Sequence, residues 1–262
     1  MQLTNEQVAQ FERDGYLFFE ELFSPEEVAA LDAAIPKINA DLTRGGVRRE
    51  ASSDTVRFFH GPHLYNDTVG RLSRHPRLAG PAAQLLDSSI YVFQSRLVMK
   101  TGLTERPFSG FPWHQDFSTW YLIDGMVEPT PVIVAIFVDE VTACNAPIQL
   151  IPQSHRYGLI TDRDREPEDE SYSQIVIHPQ RLRELVDEGG ITALLGAPGS
   201  VLFMHSNLVH ASTENISPLR RAFYYVIYDN IDNVCQNTTR SQYSASLDNT
   251  PITALPDDCL IR

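Results

Sequence analysis

Up to about residue 86 the apolar positions recur at helical spacing, and from residue 89 onward they mostly alternate. Thr4 with Gln7 three positions later predicts a capped helix whose apolar face carries Val8 and Phe11 and which stops at Gly15. A short apolar run over 16–19 follows, read as a strand. Ser24, Pro25 and the acidic pair Glu26-Glu27 mark the start of a second helix running to about Ile38. Residues 41–58 are polar and arginine-bearing and read as a mobile loop; 67–74 and 78–86 read as two further helices. Alternation over 90–99 predicts a strand and 102–110 a loop. Residues 132–138, 148–151, 200–204 and 221–228 predict more strands, with turn chemistry at Asn145-Ala146-Pro147. An acidic stretch over 161–173 reads as a solvated loop or lid, and 180–188 as a helix ended by Gly189-Gly190. Helices first and short strands afterwards, without βαβ alternation, predict an α+β protein built on an antiparallel barrel. Neither a repeat nor a linker interrupts the pattern, so 1–262 reads as a single domain.

Composition narrows the partners. The chain has 262 residues, 42% of them hydrophobic, and a formal net charge of −13. That balance argues against nucleic acid or an anionic membrane as the main partner and leaves a small molecule, since one local arginine can outweigh a diffuse negative field. Cys144, Cys235 and Cys259 are scattered, without a paired motif, which fits a reducing cytoplasm. The first residues lack the basic and apolar regions of a signal peptide, and no apolar stretch reaches the length of a membrane span.

The candidate chemistry begins at Pro112-Trp113-His114-Gln115-Asp116. In an extended chain His114 and Asp116 point to one face, so an imidazole and a carboxylate can address a single metal ion. With a second histidine from elsewhere they make up the two-His, one-carboxylate set of non-haem Fe(II) oxygenases. His205 and His210 are both candidates for that third ligand. His155 reads as structural, and His60, His63, His75 and His178 lie in polar segments and receive no role.

The segment from Phe203 to Arg221 makes the pattern specific. His114-x-Asp116, a distal His210-x-Ser212 and an arginine about ten residues further resemble the phytanoyl-CoA dioxygenase family of Fe(II)- and 2-oxoglutarate-dependent oxygenases. The resemblance implies a double-stranded β-helix (jelly-roll, cupin-like) barrel with N-terminal and flanking helices. It implies Fe(II) held by His114, Asp116 and His210, with 2-oxoglutarate and O2 as co-substrates. Arg221 then takes the distal carboxylate, with Ser212 assisting and Lys100 close by; Arg220 is the alternative to Arg221. A guanidinium fork suits a carboxylate as an ammonium does not. An intact Asp116 argues for hydroxylation rather than halogenation.

Within the family the chain looks closest to ectoine hydroxylases and other hydroxylases of free amino acids. Gln94-Ser95-Arg96, residues 113–126, residues 152–156 and Asn215-Ile216-Ser217-Pro218 carry that likeness. By the same resemblance Gln94, Trp120 and either Phe223 or Tyr225 contact substrate. Three extra residues between Gln94 and His114, together with Ile133, Ala135 and Gln115, depart from the ectoine subgroup and point to a different small amino or imino acid. Two alternatives remain at this stage: a larger acyl-CoA, carrier-bound or natural-product substrate, and a barrel that binds a ligand without turnover.

Overall fold

The computed structural model describes residues 1–43, 46–49, 56–102, 110–161, 163–165 and 175–262. Most of the loop expected over 102–110 and of the acidic stretch over 161–173 lies outside the described residues.

The N-terminal signals act as their chemistry requires. Thr4 and Gln7 form a reciprocal capping box on α1 (Asn5–Asp14), and Gly15 closes that helix in the left-handed conformation. β1 (Tyr16–Phe19) follows, and then α2 (Pro25–Asn39), capped in the same way by Ser24 and Glu27. The polar segment expected as a loop over 41–58 instead contributes two strands, β2 (Val47–Arg49) and β3 (Val56–His60). Two short helices, α3 (Asp67–Leu72) and α4 (Pro76–Leu86), lead into β4 (Ile90–Lys100). β5 (Phe111–His114) is followed at once by α5 (Asp116–Asp124). Then come β6 (Val132–Phe137), β7 (Ile148–Leu150), β8 (Arg163–Arg165), β9 (Ile175–Ile177) and α6 (Pro179–Gly189). β10 (Thr192–Leu194), β11 (Val201–His205), β12 (His210–Ser212) and β13 (Arg221–Asn230) complete the strands.

The strands fall into two antiparallel sheets in a jelly-roll arrangement. One has the order β1-β11-β6-β13-β4-β3-β2, the other β10-β7-β12-β5-β9-β8. Strand alternation divides the large sheet's side chains between two cores. Leu17, Val134, Ile136, Phe203, Tyr224 and Val226 turn outward and pack with Leu31, Ile35, Val69 and Leu78 of the helices. Ile133, Ala135, Phe137, Leu202, Phe223 and Ile227 turn inward and meet Ile148 and Leu150 of the small sheet. Leu31, Val69 and Leu78 are fully buried, and each such side chain contributes about 1.5–3 kcal/mol. The helical layer therefore seals the back of the large sheet and leaves its front to face the small sheet. Among the described residues no helix is long and apolar enough to cross a membrane.

Candidate active site

β5 and β12 are neighbours in the small sheet, and their register sets His114 directly opposite His210. The two imidazoles stand with ring centroids 4.3 Å apart. His114 leaves its Nδ1 2.6 Å from the Pro112 carbonyl, and His210 leaves its Nδ1 2.9 Å from that of Leu208. A carbonyl can only accept, so both rings carry a proton on Nδ1, which leaves Nε2 as the nitrogen that can bind a metal. Gln115 keeps an extended backbone as N-cap of α5, which returns Asp116 to the same side as His114 before the helix begins. Asp116 Oδ1 then lies 3.4 Å from His114 Nε2. One ligand atom from each of His114, Asp116 and His210 lies within 4.8 Å of the others, and these three are the one such cluster among the described residues.

The position of Asp116 is secured by its neighbour. The Gln115 side chain donates to the carbonyls of Gly158 (2.8 Å) and Asn207 (2.7 Å) and accepts from the Ile160 amide (2.9 Å). One amide thus ties β5 to two loops distant in sequence.

The charges match a metal's needs. Burial alone would raise the Asp116 pKa, but Arg96, His114 and His210 outweigh it and hold the carboxylate well below its usual range. Burial, with His114 beside it, pushes His210 down to about 4. The site therefore offers an ionised carboxylate and a neutral imidazole from β12, a donor set that suits ferrous iron. Arg96 on β4 donates from Nη2 to Asp116 Oδ2 at 2.8 Å.

Arg221 and Arg220 alternate along the chain, and their environments separate them. Arg220 bridges Asp139 and Asp32 on the outer side, where its side chain is 37% exposed. Arg221 is fully buried, its guanidinium carbon 4.3 Å from the Phe223 ring centroid. Among the described residues its Nε and Nη1 have no hydrogen-bond partner, and burial lowers its pKa. Two buried, unanswered N–H donors on one guanidinium fit an acidic ligand with two oxygens. Across the strand pair Arg221 faces Lys100, whose ammonium donates to Ser212 Oγ at 3.0 Å and to the Thr213 carbonyl.

A cavity in front of the cluster is lined by Arg96, Val98, Phe111, His114, Asp116, Ile148, His210, Ala211, Ser212 and Tyr225. Of the four residues expected at the substrate, Tyr225 is in this wall. Gln94 is buried and donates to the Ser244 carbonyl; Trp120 packs edge-on to Phe93 at 5.3 Å; Phe223 stacks on Phe137 at 4.3 Å. His205 lies apart, 5.2 Å from the His155 ring. Two neighbours of the site received no role from the sequence. Arg96 was visible only as part of a carrying segment, and no spacing rule singles it out. His60, expected in a polar loop, ends β3 fully buried opposite Arg96.

Comparison with known proteins agrees with this layout. The profile of the family described as phytanoyl-CoA dioxygenase (PhyH) matches residues 11–223. An ectoine dioxygenase from Bordetella bronchiseptica is 37% identical over 239 residues, covering 88% of this chain and 77% of the relative. An L-proline trans-4-hydroxylase from Streptomyces griseoviridis is 32% identical over 257 residues, covering 95% of this chain and 94% of the relative. The crystal structure of EctD from S. alaskensis with 2-oxoglutarate and 5-hydroxyectoine superposes with a TM-score of 0.81 at 31% identity, covering 93% of this chain and 83% of that one.

Proposed function

The chain belongs to the phytanoyl-CoA dioxygenase (PhyH) family, and from that premise we propose that it is an Fe(II)- and 2-oxoglutarate-dependent hydroxylase of a small free amino acid, imino acid or similar zwitterion. The observation that carries the proposal is the meeting of two in-register imidazoles and an ionised carboxylate, on the same interior as a buried guanidinium with unanswered donors.

In this reading His114, Asp116 and His210 hold the iron. Arg221 takes the distal carboxylate of 2-oxoglutarate, with Lys100 and Ser212 beside it. Bound there, ferrous iron and 2-oxoglutarate supply the oxidising chemistry, coupling O2 to decarboxylation of the co-substrate, giving succinate and CO2, and to hydroxylation of an unactivated C–H bond. The protein's part is to fix the ligands, seat the dicarboxylate and keep water from the reacting carbon. Pro112 and Leu208 hold both imidazoles in the tautomer that binds metal. Tyr225 and Val98 give the cavity a partly apolar wall.

One observation favours a small amino or imino acid as substrate: the proline hydroxylase matches nearly end to end. We assign Tyr225 to the substrate wall, and Gln94, Trp120 and Phe223 to its support. We also take the whole chain as one catalytic domain acting in the cytoplasm.

The test is succinate release from 2-oxoglutarate, with Fe(II), across a panel of free amino and imino acids that includes L-proline and ectoine. Turnover is expected with an amino or imino acid and is expected to vanish in His114→Ala and Arg221→Ala. Unchanged turnover in both variants would overturn the assignment.

A further inference from the structure

Asp116 has two carboxylate oxygens, and the structure divides them. Oδ1 lies 3.4 Å from His114 Nε2, the ring nitrogen that can bind a metal. Oδ2 accepts from Arg96 Nη2 at 2.8 Å. Arg96 does not reach the carboxylate by chance. It stands on the inward face of β4, between His60 on β3 and Tyr225 on β13, in register with both. Its guanidinium carbon lies 5.6 Å from the centroid of the Tyr225 ring, which bounds the sweep of the side chain. Neighbouring His60 is held neutral: burial pushes its pKa well down, and Arg96 adds to the effect. The fixed positive charge of this row therefore lies on Arg96, beside Asp116.

The division has a chemical consequence if the iron-dependent reading above is right, on which this inference rests. A carboxylate free to rotate can give a metal either one oxygen or two. The reaction needs open positions for a two-point co-substrate and for O2, and a second oxygen from Asp116 would fill one of them. We propose that Arg96 is a positioning residue that occupies Asp116 Oδ2, so that the carboxylate presents a single oxygen to the metal and a coordination position stays open. The bond is charge-assisted, so it competes with the metal for that oxygen where a neutral donor would lose.

The experiment uses full-length protein freed of metal and titrated with Co(II), whose visible absorption reports coordination number, with and without 2-oxoglutarate. Wild type, Arg96→Ala, Arg96→Gln and Arg96→Lys are compared, and each is also assayed for succinate against hydroxylated product. Wild type is expected to change its Co(II) spectrum on adding 2-oxoglutarate and to form the two products in equal amounts. Arg96→Ala and Arg96→Gln are expected to bind Co(II) but respond weakly to 2-oxoglutarate, with its affinity and kcat reduced about 10–100-fold, the usual size of an effect on a metal's supporting shell. Arg96→Lys, which keeps the charge, is expected to recover part of both. If Arg96→Ala is too unstable to purify, Arg96→Gln and Arg96→Lys carry the comparison.

A wild-type Co(II)–2-oxoglutarate spectrum in the variants, with only a lower melting temperature, would overturn the proposal. So would a change confined to the KM for the amino acid, which would make Arg96 a substrate contact. Wild type that binds neither Co(II) nor 2-oxoglutarate would instead sink the iron-dependent reading itself.

Discussion

A guanidinium and an ammonium carry the same charge but differ in shape, and Arg221 is where that difference is consequential. Its Nε and Nη1, two donors of one rigid planar fork, are buried and without partners among the described residues. A lysine there keeps the charge but cannot offer donors fixed in that planar geometry. Arg221→Lys should therefore raise the KM for 2-oxoglutarate about 10–100-fold, the worth of one or two hydrogen bonds to a charged group. Arg220→Lys should leave it unchanged, because Arg220 faces Asp139 and Asp32 instead. Steady-state kinetics with varied 2-oxoglutarate measures both. Gln115 poses the complementary question. Truncation to Ala leaves the Ile160 amide and the Gly158 and Asn207 carbonyls without their partner. At about 1 kcal/mol for each bond, that is a loss of about 3 kcal/mol. The melting temperature should fall by about 5–10 °C, and metal affinity by about tenfold as Asp116 loosens; calorimetry and Co(II) titration check the two. The contrast between these residues shows what the sequence exposes. His114, Asp116, His210 and Arg221 belong to residue types that the chemistry demands. Gln115 drew notice only as a departure from related hydroxylases, because its partners lie 43, 45 and 92 positions away.

At the scale of elements, what could be read followed from length. β4, β6 and β13 are long enough for alternation to emerge, and α1 and α2 carry their own caps. β12 has three residues and β5 four, too few for a period, although together they set the two histidines face to face. α5 was hidden for another reason. Phe117, Ser118, Thr119 and Trp120 are all buried, so the helix has no polar face to betray its pitch. β3 followed a polar stretch and was absorbed into the predicted loop; pairing with β4, not local pattern, makes it a strand. Gly15 links the N-terminal elements to the site. It caps α1 at φ 81°, and a Cβ there would come within 2.4 Å of His155 Nδ1 and 2.9 Å of Leu208 Cδ1. Leu208 also supplies the carbonyl that orients His210. Gly15→Ala should therefore cost more than the about 1–2 kcal/mol of a left-handed backbone alone. A fall in melting temperature together with weaker Co(II) binding is the expected result. A fall in stability with unchanged metal affinity would show that the strain stops short of β12.

For the molecule as a whole, stability against pH turns on groups far apart in the fold that pull in opposite directions. Asp229 is fully buried near the end of β13, accepting from Thr130 Oγ1, the Asn230 amide and Asn233 Nδ2. Burial dominates those donors and raises its pKa to about 7. A carboxyl whose pKa is raised by folding holds a proton that the unfolded chain has already released. Its contribution is thus fully present below about pH 4 and is lost as pH rises to about 7. His63, His205 and His210 act in the opposite sense. Burial lowers each to about 4, so the unfolded chain binds more protons between about pH 4 and 6.5, and stability climbs with pH there. Asp116, held low by Arg96 and the histidines against its burial, also favours the folded state at higher pH and loses that effect in acid. The wild-type curve mixes these slopes, so the measurement that isolates Asp229 is a difference. Urea unfolding of wild type and Asp229→Asn, both metal-free, should be compared from pH 4.5 to pH 8. An amide cannot ionise, so the variant is expected to gain on wild type up to about pH 7, by about 2–4 kcal/mol in all, and to hold that gain to pH 8. A constant offset at every pH would mean that the Asp229 carboxyl ionises in the folded protein as it does in the unfolded chain, with its three donors compensating for burial.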